Sequence, residues 1–229
     1  MTFQLLSLDL FQTLVDLNEI TSSLWQRILG RPCHSEELTQ LSSLLQEGYR
    51  PYYRKAPFQP FFQSMASIFE LGFQHVAERV NLPVSPRKAT ELFLEEHNNA
   101  PFFPDALELL RWANGRITVA LSSDADESMV KPLLEKIPCQ YVFLSQQLQC
   151  YKQDINGRFF QFLLKETGVP PDQVLHVGDG IPDVIGPRRS GIASCQISRK
   201  ENLFAIPSEN VYPDFKVSSL IQVLELFEK

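Results

Sequence analysis

Short apolar runs recur along the chain, separated by segments in which apolar residues return every three or four positions. The runs are residues 3–8, Ile117–Leu121, Tyr141–Leu144, Val174–Val177 and Ile192–Ile197. Such continuous runs predict strands that are buried on both faces, as in a parallel sheet. Helical spacing starts near Asp126 and runs through MVKPLLEKI, and it recurs in RFFQFLLKETG, with Gly168 as a C-terminal stop, and in the last segment, residues 218–227. The alternation predicts an α/β fold with a doubly wound, Rossmann-like parallel sheet.

The stretch from Leu17 to residue 97 breaks this alternation, because helical patterns follow one another there without a strand-like run. We predict helices at about 19–29, 36–49, 60–81 and 86–97, with Ser35 and Ser85 as N-caps and Pro86 in the first helical position. The sequence therefore predicts an all-helical insertion, residues 17–97, in a core of residues 1–16 and 98–229.

Length and charge limit the class of protein. The chain has 229 residues, 44% of them hydrophobic, and a formal net charge of −6, so it can bury a core without a metal or disulfide staple. The acidic balance argues against nucleic-acid and membrane partners, which require a basic surface. The four cysteines lack CxxC spacing, and neither a leader peptide nor an apolar span of about 20 residues is visible. We therefore expect a soluble, cytoplasmic protein with reduced thiols.

Residues with reactive side chains stand where the predicted strands end. Asp9 and Thr13 follow the first strand, Ser122 ends the second, Lys152 precedes a predicted helix, and HVGDGIPDV after the fourth strand supplies Asp179 and Asp183. In open α/β sheets, ligands bind beyond the carboxyl ends of the strands. We therefore expect these side chains to share one site.

Together these residue types can carry out hydrolysis. A carboxylate such as Asp9 can act as a nucleophile and form a covalent intermediate. An ammonium from Lys152 would keep that carboxylate ionised and would neutralise charge on an anionic substrate. Asp179 and Asp183, with Asp9, offer the oxygen ligands that Mg²⁺ prefers.

The ordered set DxxxT, strand-end Ser, Lys and GDxxxD resembles the haloacid dehalogenase-like hydrolase superfamily, and the insertion resembles its helical cap of the first type. The resemblance covers nearly the whole chain. It implies that Asp9 is the nucleophile, that Lys152 orders it, and that a small anionic substrate is bound. It further implies substrate contacts from Thr13, Ser122, Ser123 and Lys152, and a Mg²⁺ site formed by Asp9, the carbonyl of Phe11, Asp179 and Asp183.

One position departs from the pattern of the family's phosphatases. They usually carry a second aspartate, the general acid and base, two positions after the nucleophile, where this chain has Phe11; the next position, usually glycine, is Gln12. General acid–base assistance is worth about 10²–10⁴-fold in rate, so hydrolysis of an ordinary phosphate ester should suffer. An aromatic residue at this position resembles the 2-haloacid dehalogenase branch, whose halide leaving group needs no proton.

Three functions therefore remain open. The first is Mg²⁺-dependent hydrolysis of a small phosphorylated compound, which we favour because the dehalogenases usually lack the counterpart of Asp179. The second is metal-independent dehalogenation of a 2-haloacid, for which a cap arginine must bind the substrate carboxylate. Gln40 stands at the usual distance, so Arg50 or Arg54 would have to serve. The third is an anion-binding or regulatory module with little turnover.

The sequence also allows a prediction for one histidine and one arginine near the predicted site. His176 is expected to pack beneath the site rather than act as a base, and Arg199 is a minor candidate for contact with an anionic substrate. The natural substrate and the oligomeric state do not follow from the sequence.

Overall fold

The computed structural model describes residues 3–199 and 212–227, and its centre is a sheet of six parallel strands. The strands are β1 (Leu5–Leu8), β2 (Thr118–Ser123), β3 (Tyr141–Leu144), β4 (Val174–Gly178), β5 (Ala193–Ile197) and β6 (Phe215–Val217). They lie in the order β3-β2-β1-β4-β5-β6. The predicted α/β class and its parallel sheet are confirmed. The sixth strand was not predicted, because its three residues form no apolar run.

Ten α-helices accompany the sheet within the described residues. They are α1 (Thr21–Leu29), α2 (Ser35–Lys55), α3 (Met65–Ala77), α4 (Pro86–His97), α5 (Pro104–Ala113), α6 (Lys131–Leu134), α7 (Ser145–Leu148), α8 (Arg158–Thr167), α9 (Pro182–Arg189) and α10 (Ile221–Leu224). The predicted features of α8 and α4 are confirmed: Gly168 caps α8 in a left-handed conformation, and Ser85 accepts a hydrogen bond from the Lys88 N–H ahead of Pro86.

Three helix predictions need correction. Ser35 is the first residue of α2 rather than its N-cap, and α2 runs past Pro51 to Lys55 instead of ending near residue 49; its packing against α3 outweighs the proline. The helix predicted from Asp126 is split into a 3₁₀ turn, Glu127–Met129, which Asp126 caps, and α6, where Pro132 favours a new helix start. In the last segment only Ile221–Leu224 is α-helical, and residues 200–211 and 228–229 lie outside the described residues.

The segment between β1 and β2 is helical, as predicted, and its helices α1–α4 pack on one another. At its two ends the chain is held together by backbone hydrogen bonds: Asp16 N–H donates to Pro101 O, and Phe103 N–H donates to Leu14 O, at 2.8 and 2.9 Å. We call residues 17–97 the inserted segment. Its status as a separate cap domain stays a prediction.

Specific contacts join the inserted segment to the rest of the chain. The Asp126 carboxylate accepts hydrogen bonds from the backbone N–H groups of Met65 and Ala66, at the start of α3, at 3.0 and 2.7 Å. A carboxylate is favourable there, because the first N–H groups of a helix lack intrahelical partners. The four cysteines are free, as expected, and no helix among the described residues has both the length and the apolarity that crossing a bilayer requires.

Candidate active site

The carboxyl ends of β1 and β4 bring the predicted reactive residues together. Asp9 follows β1, Asp183 lies in the first turn of α9 after β4, and Lys152 comes from the loop between α7 and α8. Lys152 Nζ donates a hydrogen bond to Asp9 Oδ1 at 2.7 Å and another to Asp183 Oδ1. All three side chains are buried. Residues 143 positions apart in sequence thus form a direct ion pair.

Two glycines allow this close approach. A Cβ at position 178 would overlap the Asp183 carboxyl group, so Gly178 gives that side chain room to fold back over the end of β4. A Cβ at position 186 would overlap the Lys152 carbonyl oxygen, so Gly186 lets α9 pack directly on the loop that carries Lys152. The local sequence therefore sets the spacing between Lys152 and Asp183.

Three carboxylates suit a divalent ion. Asp9, Asp179 and Asp183 each offer an oxygen atom, and these atoms lie within 4.8 Å of one another. Mg²⁺ prefers hard oxygen ligands from a few carboxylates together with water. The donor set therefore fits Mg²⁺, while the predicted contribution of the Phe11 carbonyl stays a prediction.

The electrostatics of the cluster favour a further positive charge. Burial raises the pKa of Asp9 to about 7, and the Lys152 ammonium opposes that rise. Burial also acts against ionisation of Asp183, but Lys152 and the hydrogen bond from His176 hold its pKa below the usual value. Burial would lower the pKa of Lys152, yet its acidic neighbours raise it. Lys152 therefore stays protonated, and a cation bound beside Asp9 would favour the ionised form of that carboxyl group.

The hydroxyl groups predicted to bind substrate have different surroundings. Thr13 Oγ1 donates to Asp9 Oδ2 at 3.0 Å, which orients the carboxylate. Ser122 Oγ lies 2.8 Å from Ser7 Oγ and is not part of the cavity next to Asp9, whereas Ser123 does line that cavity. The substrate contacts of these residues stay predictions, and the geometry favours Ser123 over Ser122.

His176 lies beneath the site, as expected. It is fully buried, and Nε2 lies 3.0 Å from Asp183 Oδ1 while Nδ1 lies 2.8 Å from Ser7 Oγ. Because a carboxylate accepts, Nε2 carries the proton and Nδ1 accepts from Ser7. Burial lowers the pKa of His176, which agrees with a neutral ring. The side chain therefore supports Asp183 from below.

A cavity of about 150 Å³ lies above Asp9, between the sheet and the inserted segment. Ligand pockets for drug-sized molecules measure about 300–1,000 Å³, so this space suits a small compound. The lining residues that were not predicted as part of the site include Asp124, Tyr53 and His97. Asp124 accepts hydrogen bonds from the Lys152 N–H at 2.8 Å and from the Tyr53 hydroxyl at 3.1 Å. Burial raises the pKa of Asp124 to about 6.

Phe11 and Gln12 line the same cavity, next to the nucleophile. The Phe11 ring meets the His97 ring edge-on, with the ring centroids 4.8 Å apart. Gln12 has a φ of 62°, a left-handed conformation that a glycine would adopt without strain. The turn after Asp9 therefore keeps the backbone shape expected at the usual glycine, although its side chains differ.

The arginines considered for an anionic substrate are not among the described residues that line the cavity. Arg50 and Arg54 belong to α2, and neither is among the described residues that line the cavity. Arg199 donates to the Asp105 carboxylate and to the Thr13 carbonyl, at 2.9–3.0 and 2.7 Å, and its guanidinium lies 3.8 Å above the Phe103 ring. Arg199 therefore stabilises the loop that carries Thr13.

Sequence comparisons match the chain to one protein family and to two kinds of enzyme, a phosphatase and a dehalogenase. A sequence model described as haloacid dehalogenase-like hydrolase matches residues 3–191. A phosphoglycolate phosphatase from Pseudomonas fluorescens (strain Pf0-1) is 27% identical over 124 residues, which are 50% of this chain and 45% of that protein. An (S)-2-haloacid dehalogenase from Pseudomonas sp. (strain YL) is 23% identical over 228 residues, 97% of this chain and 94% of that protein. The matched part thus spans less than half of the phosphatase.

Solved structures share the fold. The hydrolase YfnB from Bacillus subtilis, determined with bound magnesium, superimposes with a TM-score of 0.82 at 10% identity, over 100% of both chains. The L-2-haloacid dehalogenase from Xanthobacter autotrophicus, with chloropropionic acid covalently bound, gives a TM-score of 0.79 at 14% identity, over 99% of both chains. At these identities the likeness concerns the fold alone.

Proposed function

The chain belongs to the haloacid dehalogenase-like hydrolases, and on that premise we propose that it hydrolyses a small phosphate monoester with Asp9 as nucleophile and Mg²⁺ as cofactor. The observation that carries this proposal is the set of three carboxylates, Asp9, Asp179 and Asp183, around one point beside Lys152. We place this activity in the cytoplasm, where reduced thiols persist.

Asp9, Asp179 and Asp183 would hold the metal ion. Bound there, Mg²⁺ would offset the charge of the carboxylates and stabilise negative charge on the phosphoryl oxygens. Lys152 supplies a fixed positive charge beside Asp9, because it hydrogen-bonds both Asp9 and Asp183. An anionic phosphoryl group can then approach an anionic nucleophile.

The reaction proceeds in two displacements. An Asp9 carboxylate oxygen forms a bond to phosphorus while the bond from phosphorus to the ester oxygen breaks, and that oxygen leaves with the electron pair. Thr13 holds Oδ2 of Asp9 and Lys152 holds Oδ1, so the carboxylate keeps one orientation. Water then forms a bond to phosphorus while the bond from phosphorus to the Asp9 oxygen breaks; the protons of the water pass to the released inorganic phosphate, and the Asp9 carboxylate is restored.

The side chain at position 11 limits the choice of leaving group. Phe11 has no proton to give, and the ester oxygen must leave unprotonated or take a proton from water. We therefore propose a substrate with a good leaving group, such as the ester of an acidic alcohol.

Dehalogenation is the second candidate, and two observations favour it: the match to the Pseudomonas sp. dehalogenase over nearly the full length, and Phe11. A 2-haloacid carries a carboxylate, which requires a cation in the pocket. The lining has one cationic side chain among the described residues, Lys152, and that group is already paired with Asp9 and Asp183. For this reason we rank dehalogenation second.

One screen separates the two candidates. We expect 4-nitrophenyl phosphate to be hydrolysed with Mg²⁺ present and not after EDTA treatment, with activity restored by added Mg²⁺. We expect no halide release from 2-chloropropionate with or without the metal. Halide release that EDTA leaves unchanged, without phosphate release, would establish the dehalogenase and refute the phosphatase.

A further inference from the structure

The two sides of the cavity above Asp9 differ in charge. The core side carries the acidic and basic residues Asp9, Asp124, Lys152, Asp179 and Asp183. The side formed by the inserted segment carries no acidic or basic lining residue other than one histidine, and its polar groups besides that ring are tyrosine hydroxyls; its main residues are Tyr49, Tyr53, Met65, Phe69, Phe93 and His97. No Asp, Glu, Lys or Arg of residues 17–97, all of which the structure describes, lines the cavity. A phosphoryl group bound at Asp9 would therefore direct the rest of the substrate toward a surface without charge.

His97 presents a hydrogen-bond acceptor on this surface. It is the last residue of α4 and is 2% exposed, and its Nδ1 lies 2.7 Å from the carbonyl oxygen of Phe93. A carbonyl only accepts, so Nδ1 carries the ring proton and Nε2 keeps a free electron pair. The ring is buried among phenyl rings, and surroundings of this kind favour its neutral form. Nε2 makes no hydrogen bond with any part of the chain that the structure describes.

Aromatic neighbours hold this ring in place. The centroids of Phe93, Phe11 and Phe69 lie 4.4, 4.8 and 5.8 Å from that of His97. Because the ring is fixed both by these contacts and by the bond to Phe93, it cannot turn to find another partner for Nε2. Phe11, in the loop that follows Asp9, contacts the His97 ring, so the two side chains line the same part of the cavity.

Gln12, on the core side of the cavity, also has a hydrogen-bond acceptor without a partner among the described residues. It lines the same cavity, and its buried Oε1 atom has no hydrogen-bond partner among the described residues. A buried acceptor without a partner costs free energy that a bound donor would recover. Two acceptors without partners therefore flank Phe11.

We propose that the organic part of the substrate carries a hydrogen-bond donor and no negative charge, and that His97 Nε2 binds this donor. The inference rests on the proposed function, because the phosphoryl group must occupy the end of the cavity that holds Asp9 and Lys152. A small phosphorylated alcohol or phenol with a second hydroxyl, amide or amino group meets the requirement. Phosphoglycolate and 2-haloacids do not, since the organic part of each carries a carboxylate.

Substituted phenyl phosphates test the proposal. The 3-hydroxy, 3-methoxy and 3-carboxy esters have leaving groups of similar acidity. Differences between their kcat/KM values therefore report contacts with the pocket rather than differences in leaving-group reactivity. We expect the hydroxy ester to exceed the methoxy ester about tenfold, the value of one hydrogen bond. We expect the carboxy ester to fall roughly 100-fold below the hydroxy ester, because its charge enters a surface whose lining residues include no cation of the inserted segment. A carboxy ester that is turned over as well as the hydroxy ester would overturn the proposal.

Two variants assign the preference to His97. His97→Asn can keep the bond to the Phe93 carbonyl but has no atom at the Nε2 position, whereas His97→Gln places an amide oxygen near it. We expect His97→Asn to lose the preference for the hydroxy over the methoxy ester and His97→Gln to retain most of it. Melting temperatures of both proteins check that they are folded. An unchanged preference in folded His97→Asn would refute the role of His97.

Binding measurements distinguish a failure of the inference about the pocket from a failure of the proposed phosphatase activity. Benzylphosphonates with the same three substituents cannot be hydrolysed, and calorimetry with Mg²⁺ present gives their affinities for the wild-type protein. If no ester is turned over but the hydroxy compound binds best, the phosphatase proposal fails and the inference about the pocket stands. If the esters are turned over and neither turnover nor binding prefers the donor, the inference alone fails.

Discussion

Asp9→Asn is expected to lower kcat for 4-nitrophenyl phosphate roughly 10⁴-fold or more, the scale of loss when a catalytic nucleophile is removed. An amide cannot attack phosphorus as a carboxylate does, and the substitution also removes one of three carboxylates available to Mg²⁺. The fold should persist, because Lys152 keeps its bond to Asp183 and the variant relieves crowding of negative charge. Steady-state kinetics at saturating Mg²⁺ measures the effect.

A matched carboxylate outside the site serves as the control. Asp172 is exposed and lies just before β4, at the end of the strand away from Asp9. Asp172→Asn should retain wild-type kcat. If Asp9→Asn keeps activity comparable to that of Asp172→Asn, Asp9 is not the nucleophile.

Phe11→Asp is expected to raise kcat about 10²-fold or more for phosphate esters of weakly acidic alcohols, because it supplies the general acid that the wild type lacks. Phe11 lines the cavity beside Asp9, and a shorter side chain fits the same space. Aromatic neighbours such as Phe69 and Phe93 would favour the protonated carboxyl group, the form that donates a proton. Esters of strongly acidic phenols should gain little, since they leave without a proton.

Phe11→Asn distinguishes the effect of an added acidic proton from the effect of a smaller side chain at position 11. It has nearly the same size as the aspartate variant but no acidic proton, so we expect no comparable gain from it. Equal gains from the two variants would mean that the Phe11 ring merely obstructs substrate. No gain from Phe11→Asp with any ester would favour either a specialised chemistry or a site that is not built for phosphoryl transfer.

The sequence best predicts the site residues whose positions are set by the ends of the parallel strands. Asp9, Asp179 and Asp183 stand just beyond strands, and parallel strands end at one edge, so the meeting of these residues with Lys152 could be inferred before any coordinates. The glycines that permit the close contacts, Gly178 and Gly186, carry no such signal, because only the packing shows what a Cβ would meet.

Residues whose position depends on packing between segments were missed. His97 is a single histidine at the end of a helix, and its place in the cavity depends on how α4 packs against α3 and on the loop after β1. Asp124 lies next to the predicted Ser122 and Ser123, but the bend after β2 decides which of these side chains faces the cavity. Ser122 instead contacts Ser7 beneath the site.

A covalent intermediate on Asp9 is the central claim, and trapping it is the most direct test. The protein is mixed with Mg²⁺ and 4-nitrophenyl phosphate, quenched in acid within the first turnover, and digested for mass spectrometry. We predict one added phosphoryl group on the peptide that contains Asp9, removable by hydroxylamine and absent from Asp9→Asn. Release of phosphate in that turnover without any phosphorylated Asp9 peptide would contradict the mechanism.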